Sequence, residues 1–477
     1  MSNSDDKRKS DYDLRPRKKN KNRKIIESED ESEDENNITI DLSDILSDIF
    51  HNKGENKKQE TDINKTYLNT LSQEERDELK ETEERIRKIN FSSVPLKYKV
   101  LQSSLEDKAK ALLMQKVTYF EKLEPHQGEY FKLKKYMDGI LNIPFNKYKG
   151  LNIVKMLEKK DSIPLKIKII KDFINMLRKK LNSSTYGQLE AKNTIIEIIG
   201  KWISNPTAKG NVLGLEGPPG CGKTTIVKNG LANALEIPFA FIPLGGSMTA
   251  MTLEGSSYTY EGARWGRIVD ILMEHKCMNP ILFFDELDKI PDDKFGEEVT
   301  ALLIHLTDGS QNTSFHDKYF SGIDFDLSKC FIIFSFNDKN KIHPILRDRI
   351  NIVKVKGFEM KDKLIIARDY CLDNVCKNIG IEKSLIDVPD ETLKKIISSY
   401  CPEKGVRKVE QCLNTLIMKI NLFHITRDVS NLGLKDKNLI KHLSAPYLIN
   451  SELATKLLDP IYKNTNGMSE AVKMMYI

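Results

Sequence analysis

The sequence predicts an α/β protein: a parallel sheet with helices on both faces, followed by a small α-helical domain and preceded by a helical region and a charged tail. Three observations lead there. Residues 212–215, 239–242, 281–284 and 331–334 are short apolar runs separated by stretches of helical pattern, the order expected of buried parallel strands joined by crossover helices. A glycine-rich loop, Gly217-Pro-Pro-Gly-Cys-Gly-Lys-Thr224, stands between the first run and a helix. From about 358 to 424 the apolar spacing is helical again.

The organisation expected along the chain is a disordered tail over 1–60, a helical region over 61–180, an α/β nucleotide-binding domain over 181–357, a helical domain over 358–430, and a helical or irregular segment over 431–477. The tail carries ten basic residues between Lys7 and Lys24 and seven acids between Glu27 and Glu35, a composition too polar to offset chain entropy by burial. Its basic run fits a solvated tail, a nuclear address or a nucleic-acid tether. Ile38, Leu42, Ile45, Leu46, Ile49 and Phe50 fall at helical spacing, so 38–50 suits a helix docked on a partner or on its own body. Ser72-Gln-Glu-Glu75 has the spacing of a helix-starting capping box. Helices are expected over 97–123, 129–142 and from Pro164 through Leu177.

The net charge of +6, from 75 basic and 69 acidic residues, gives no field that by itself implies nucleic acid. Seven cysteines include no Cys-x-x-Cys pair and read as buried or incidental thiols of a reducing, cytoplasmic or nuclear-type compartment. No apolar run approaches the ~20 residues of a membrane helix, and Asp5, Asp6, Asp11 and Asp13 speak against a transit peptide.

The chemistry lies in the loop and the strand ends. Glycines let the amides of Gly217, Pro218, Pro219, Gly220, Cys221, Gly222, Lys223, Thr224 and Thr225 wrap around phosphates wherever a donor exists, with Lys223 reaching the β and γ oxygens and Thr224 ligating a metal. The run 281–284 ends in Asp285 and Glu286, one suited to a magnesium shell and the other to polarising a water. ATP and Mg2+ are the expected cofactors. Asn337 ends the run at 331 and could orient that water or simply cap a turn. Arg347 and Arg349 offer guanidinium groups of the kind a neighbouring subunit's site uses against developing phosphoryl charge. Gly405-Val-Arg407 opens a helix of the last domain and could close it over the nucleotide.

With these residues in place, the chain resembles the AAA+ ATPase module of the Lon ATP-dependent proteases over roughly residues 129–424. Glu129 to Asn146 is similar to the family's helical segment ending in Pro-Trp-Asn, here Pro144-Phe-Asn146. Asp285-Glu-Leu-Asp-Lys289, Gln311-Asn312, Phe315, Asp317, Tyr319 and Phe325-Asp-Leu-Ser328 follow the family's order. The resemblance implies that Tyr186 and Gly187 touch adenine, that Asn337 is the first sensor, Arg349 the finger and Arg407 the second sensor. Arg347 is the weaker finger candidate. It also implies that Tyr260, in Tyr258-Thr-Tyr-Glu-Gly262, lines a substrate pore, with Glu261 where the family has an aliphatic residue.

No Ser within a Pro-Ser-Ala-Gly run occurs, and few residues follow Arg407, so no peptidase activity is expected of this chain. The expected assembly is a homo-oligomer, a hexameric ring, working on a polypeptide client without a membrane. Three functions compete: an ATP-driven unfoldase or remodelling chaperone, the ATPase subunit of a protease whose peptidase is on another chain, and a DNA-associated regulatory ATPase tethered through Lys7 to Lys24.

Overall fold

A computed structural model of the chain describes residues 67–90, 94–160, 162–208, 211–246, 249–428 and 445–462; the charged tail, its basic run and the stretch 38–50 lie outside them. The chain divides into two compact units, 1–93 and 94–477. In the first, the helix Gln73–Asn90 begins with the expected box. The Ser72 amide and hydroxyl donate to Glu75 Oε2 at 2.9 and 2.8 Å, and the Glu75 amide donates to Ser72 Oγ at 3.4 Å. These bonds occupy donors that a first helical turn otherwise leaves empty.

In the second unit, β1 (Asn211–Glu216), β2 (Phe239–Pro243), β3 (Ile281–Asp285), β4 (Phe331–Phe336) and β5 (Asn351–Lys354) form one parallel sheet in the order β2-β3-β4-β1-β5. The sheet is buried on both faces, so the period of two sorts side chains between two cores. Leu282, Phe284, Ile332 and Phe334 point into one, with residues of helices Gly128–Asn142, Arg267–His275 and Lys294–Thr307. Ile281, Phe283, Phe331 and Ile333 point into the other, with residues of Ile163–Ser184 and Leu189–Ser204.

The helical region ahead of the sheet packs as part of these cores. Val100, Leu113, Val117 and Tyr136 are buried in the first core, Leu177 and Leu181 in the second, so residue 180 falls inside a helix that covers the sheet. The single helix expected over 97–123 is two, Leu96–Gln102 and Asp107–Phe120. Ser103 turns extended, and its amide and hydroxyl both donate to the Val100 carbonyl, at 3.2 and 2.6 Å. A serine that serves the backbone in this way competes with the helical ladder.

A third core holds the helical domain. Leu393, Leu413 and Leu416 meet there with Tyr447, Leu453 and Leu457, Tyr447–Leu448 pairs in parallel with Ile386–Asp387, and the helix Ser451–Tyr462 completes it. Packing therefore runs past residue 430. All seven cysteines are buried and unpaired, and no described helix is long and apolar enough to cross a membrane.

Between Gly255 and Gly266 the chain folds back on itself, the Ser256 amide donating to the Arg264 carbonyl, and Asp317 holds the neck of that loop. This carboxylate is 1 % exposed and accepts from the amides of Gly266 (2.7 Å), Tyr319 (2.9 Å) and Phe320 (3.4 Å), beneath packed rings of Tyr136, Tyr258, Trp265, Tyr319 and Phe320. Burial pushes its carboxyl up to about 6, against the pull of the three amides and with Glu254 adding to the rise.

The native state therefore holds this proton more tightly than the unfolded chain does. The stability it contributes is present in full below the ordinary carboxylate range and is lost as pH rises towards 6, about 3 kcal/mol in all. Denaturant unfolding between pH 4 and 7 should show wild type losing stability relative to Asp317→Asn as pH rises. A difference that stays flat with pH contradicts the assignment.

Candidate active site

The register of the sheet decides which strand ends meet. β1 pairs with β4 so that Glu216 lies opposite Phe336, and the Gly217 amide donates to the Phe336 carbonyl at 3.1 Å. The phosphate-type loop thus leaves β1 beside Asn337. β3 pairs with β4 so that Phe284 lies opposite Phe334, which sets Asp285 beside Ser335, whose hydroxyl donates to Asp285 Oδ1. Carboxyl ends of parallel strands are where open α/β sheets bind ligands.

The loop then turns into a helix, Lys223–Thr225, continuing through a π-helical stretch, Ile226–Ala232. Gly222, at φ +85°, takes the left-handed conformation that launches it. Lys223 is only 9 % exposed. Its ammonium donates to the carbonyls of Gly217, Pro218 (3.5 Å) and Phe336 (3.1 Å) and to Asn337 Oδ1 (2.9 Å). Burial lowers its pKa, and Asp285 is the strongest of the charges that oppose the shift.

Glu286 follows β3 at φ +60°, a conformation that costs a non-glycine residue energy and is found where structure holds a side chain for use. Its carboxylate lies over Gly245, where a side chain would have to displace it. Asp288, 8 % exposed, leaves its Oδ1 buried without a hydrogen-bond partner.

The helical domain closes on the loop through backbone contacts. The Val406 amide donates to the Gly220 carbonyl at 3.0 Å, and a Cβ on Gly405 would run into the Pro219 carbonyl. Arg407 opens the helix Arg407–Thr426 at this point. Pro219, Gly220, Gly222, Lys223, Thr224, Thr225, Asp285, Glu286, Asn337 and Arg407 consequently line one cleft of about 330 Å³. Gly217 and Pro218 lie behind it as acceptors for Lys223, and Cys221 is turned away, buried with its thiol 3.7 Å from the Lys404 carbonyl.

Other expected residues stand elsewhere. Tyr186 packs against the core of the helical domain, and Gly187, at φ +64°, makes the turn behind Thr185, which touches Gly222. Arg349 is bonded to Asp308 and Ile304, outside the cleft, as is Arg347. Tyr260 is 67 % exposed on the loop held by Asp317, while Tyr258 donates to Glu129 Oε1 at 3.0 Å and stacks inward.

Ser335, Asp288 and Glu410, to which the sequence assigns no role, line the cleft as well. Ser335 had a signal, as the one polar residue inside an apolar run two places before Asn337. Asp288 had another, as the third acid of Asp285-Glu-Leu-Asp288. Glu410 had none.

Comparison with known proteins bears on what this cleft does. Residues 213–357 match the model of the ATPase family associated with various cellular activities (AAA), and residues 377–428 match the Lon protease AAA+ ATPase lid domain. The chain is similar to a Lon protease homolog of Acanthamoeba polyphaga mimivirus, 36 % identical over 293 residues, covering 61 % of this chain and 28 % of that one. It is 30 % identical to the Lon protease of Finegoldia magna over 355 residues, 74 % of this chain and 43 % of the relative. A mitochondrial Lon protease homolog of Yarrowia lipolytica is 30 % identical over 306 residues, 64 % and 24 % of the two chains. The chain spans less than half the length of each of these relatives. Over the matched residues the chain carries the sheet, the loop, the acidic strand end and the lid of a Lon-like AAA+ ATPase module.

Proposed function

We propose that the chain hydrolyses ATP at this cleft with magnesium, in sites shared between copies in a ring, and uses the cycle to pull on polypeptide. The observation that carries the reading is the convergence of Lys223, Asp285, Glu286, Asn337 and Arg407 on one cleft, with Tyr260 exposed on a separate, anchored loop.

The residues fit a nucleotide with its metal. Thr224 and Asp285 bring hard oxygen donors to the cleft, which suits magnesium, a cation that takes one or two protein ligands and completes its shell with phosphates and water. Thr224 and Asp285 would hold it, and the Ser335 hydroxyl fixes one Asp285 oxygen. When bound, the ion neutralises charge on the phosphates as a Lewis acid.

The protein's own groups do the rest. Loop amides and Lys223 hold the β- and γ-phosphates, the lysine exchanging carbonyl acceptors for phosphate oxygens. Glu286 accepts a hydrogen bond from the attacking water and polarises it, and Asn337 orients it. Arg407 sits where the lid meets the loop, so lid position and phosphate contact change together. The relatives are named proteases, and a polypeptide client for this chain follows from that likeness together with Tyr260, an exposed aromatic able to grip a chain.

Lys223→Ala should abolish nucleotide binding, because it removes the buried cation that meets the phosphates. Glu286→Gln should keep binding and slow turnover by about 10²-fold or more, the scale of a lost general base. Fluorescent-nucleotide titration and phosphate release measure the two, and wild-type turnover in Glu286→Gln would sink the assignment.

Tyr260→Ala tests the grip. With wild type, unfolded casein should raise ATPase; with the variant, the ratio of rates with and without casein should fall to about one, since the side chain that contacts the client is gone. Equal stimulation of both proteins would remove Tyr260 from the mechanism.

A further inference from the structure

Arg349 does not reach its own cleft, and the structure shows what holds it. It ends the short helix Pro344–Asp348, and its Nη1 donates to the Ile304 carbonyl at 3.0 Å and to Asp308 Oδ2 at 2.6 Å. Ile304 lies in the last turn of Lys294–Thr307, and Asp308 is the residue that ends it. A cation at a helix C-terminus meets the negative end of the helix dipole. The other oxygen of Asp308 accepts from the amide and hydroxyl of Ser310, at 2.9 and 2.6 Å.

The carboxylate is thus fixed on one side by its own turn and fixes the guanidinium on the other. The Ser310 bonds first, and Arg349 after them, hold its carboxyl down to about 2, so the pair persists at any physiological pH. Arg349 keeps a side chain 31 % exposed: it is pinned and still presented to the surface. A long arginine without such a pin spreads over many rotamers.

The anchor stands at the far end of a rod. Lys294–Thr307 begins shortly after Glu286 and Asp288, is capped by Asp293 accepting from Gly296 at 2.8 Å, and runs about 20 Å to Asp308. Arg349 itself does not line the cleft that holds Asp285, Glu286 and Asp288.

We propose that Asp308 is the positioning residue that presents Arg349 to the nucleotide cleft of a second copy of this chain. Its loss then harms the neighbour's site and not its own. This rests on the reading of shared sites in a ring.

Mixing experiments separate the two ideas. Asp308→Asn, which keeps an oxygen for Ser310 but loses the charge facing Arg349, should bind fluorescent ATP like wild type and lose about tenfold or more in kcat, less than Arg349→Ala loses. The double variant should be no slower than Arg349→Ala alone. Asp308→Asn mixed with Lys223→Ala should regain activity severalfold, since the second protein has a dead site and an intact, well-held arginine. Asp308→Asn mixed with Arg349→Ala should regain none.

The control is Arg349→Ala mixed with Lys223→Ala. If that control gains activity and the Asp308→Asn mixture does not, Asp308 acts within its own subunit and the proposal is overturned. If the control also gains nothing, shared sites themselves are wrong and the proposal falls with them. Should Asp308→Asn fail to bind nucleotide, Asp308→Glu takes its place in the same mixtures, with the same expected and contrary results.

Discussion

The ammonium of Lys223 is the constraint around which the site is organised. A charge that is nine-tenths buried is costly unless every donor finds an acceptor, and the acceptors here are the carbonyls of Gly217, Pro218 and Phe336 and the amide oxygen of Asn337. Those groups are adjacent because β1 and β4 are neighbours in register, Glu216 against Phe336. A slip of one residue would turn the strands' side chains to the opposite core and move Asn337 away from the lysine. The two hydrophobic cores that sort Leu282 from Phe283 and Ile332 from Ile333 thereby fix the geometry of a polar site several residues beyond them.

A second dependence runs from that loop to the lid. Gly405 approaches Pro219, and Val406 donates to Gly220, so Arg407 arrives at the cleft on backbone contacts between two domains with separate cores. This junction joins main-chain contacts at the loop to Tyr186, whose ring packs against the lid core. The lid core is closed from a distance by Tyr447 and the helix Ser451–Tyr462, which makes the orientation of Arg407 depend on residues well past its own helix.

What could be read from the sequence follows from how local each signal is. β1 to β4 are continuous apolar runs, and the loop and acidic strand end are contiguous strings with one chemical purpose. β5 offers only Ile352 and Val353 between polar residues and becomes a strand by pairing with β1. Ser103 ends a helix with an ordinary-looking residue, and the pattern of Leu453, Leu457 and Leu458 stands apart in sequence from the rest of the lid. Asn337 reads in the sequence as either a cap or a sensor, and the structure bonds its Oδ1 to Lys223. Tyr258 and Tyr260 are alike in sequence, yet one is tied to Glu129 and the other is exposed. Asp308 and Arg349, 41 residues apart, could be joined only by the fold.

We propose that the groups gathered around Lys223 act on ATP as one catalytic unit. Single-turnover hydrolysis by Asn337→Ala tests it most directly, because Asn337 touches the lysine and faces the cleft without belonging to the loop. ATP binding should stay within about threefold of wild type and the hydrolysis step should slow at least about tenfold, as when a water-orienting group is lost from a preorganised site. A hydrolysis step as fast as wild type, with ATP bound, would contradict it.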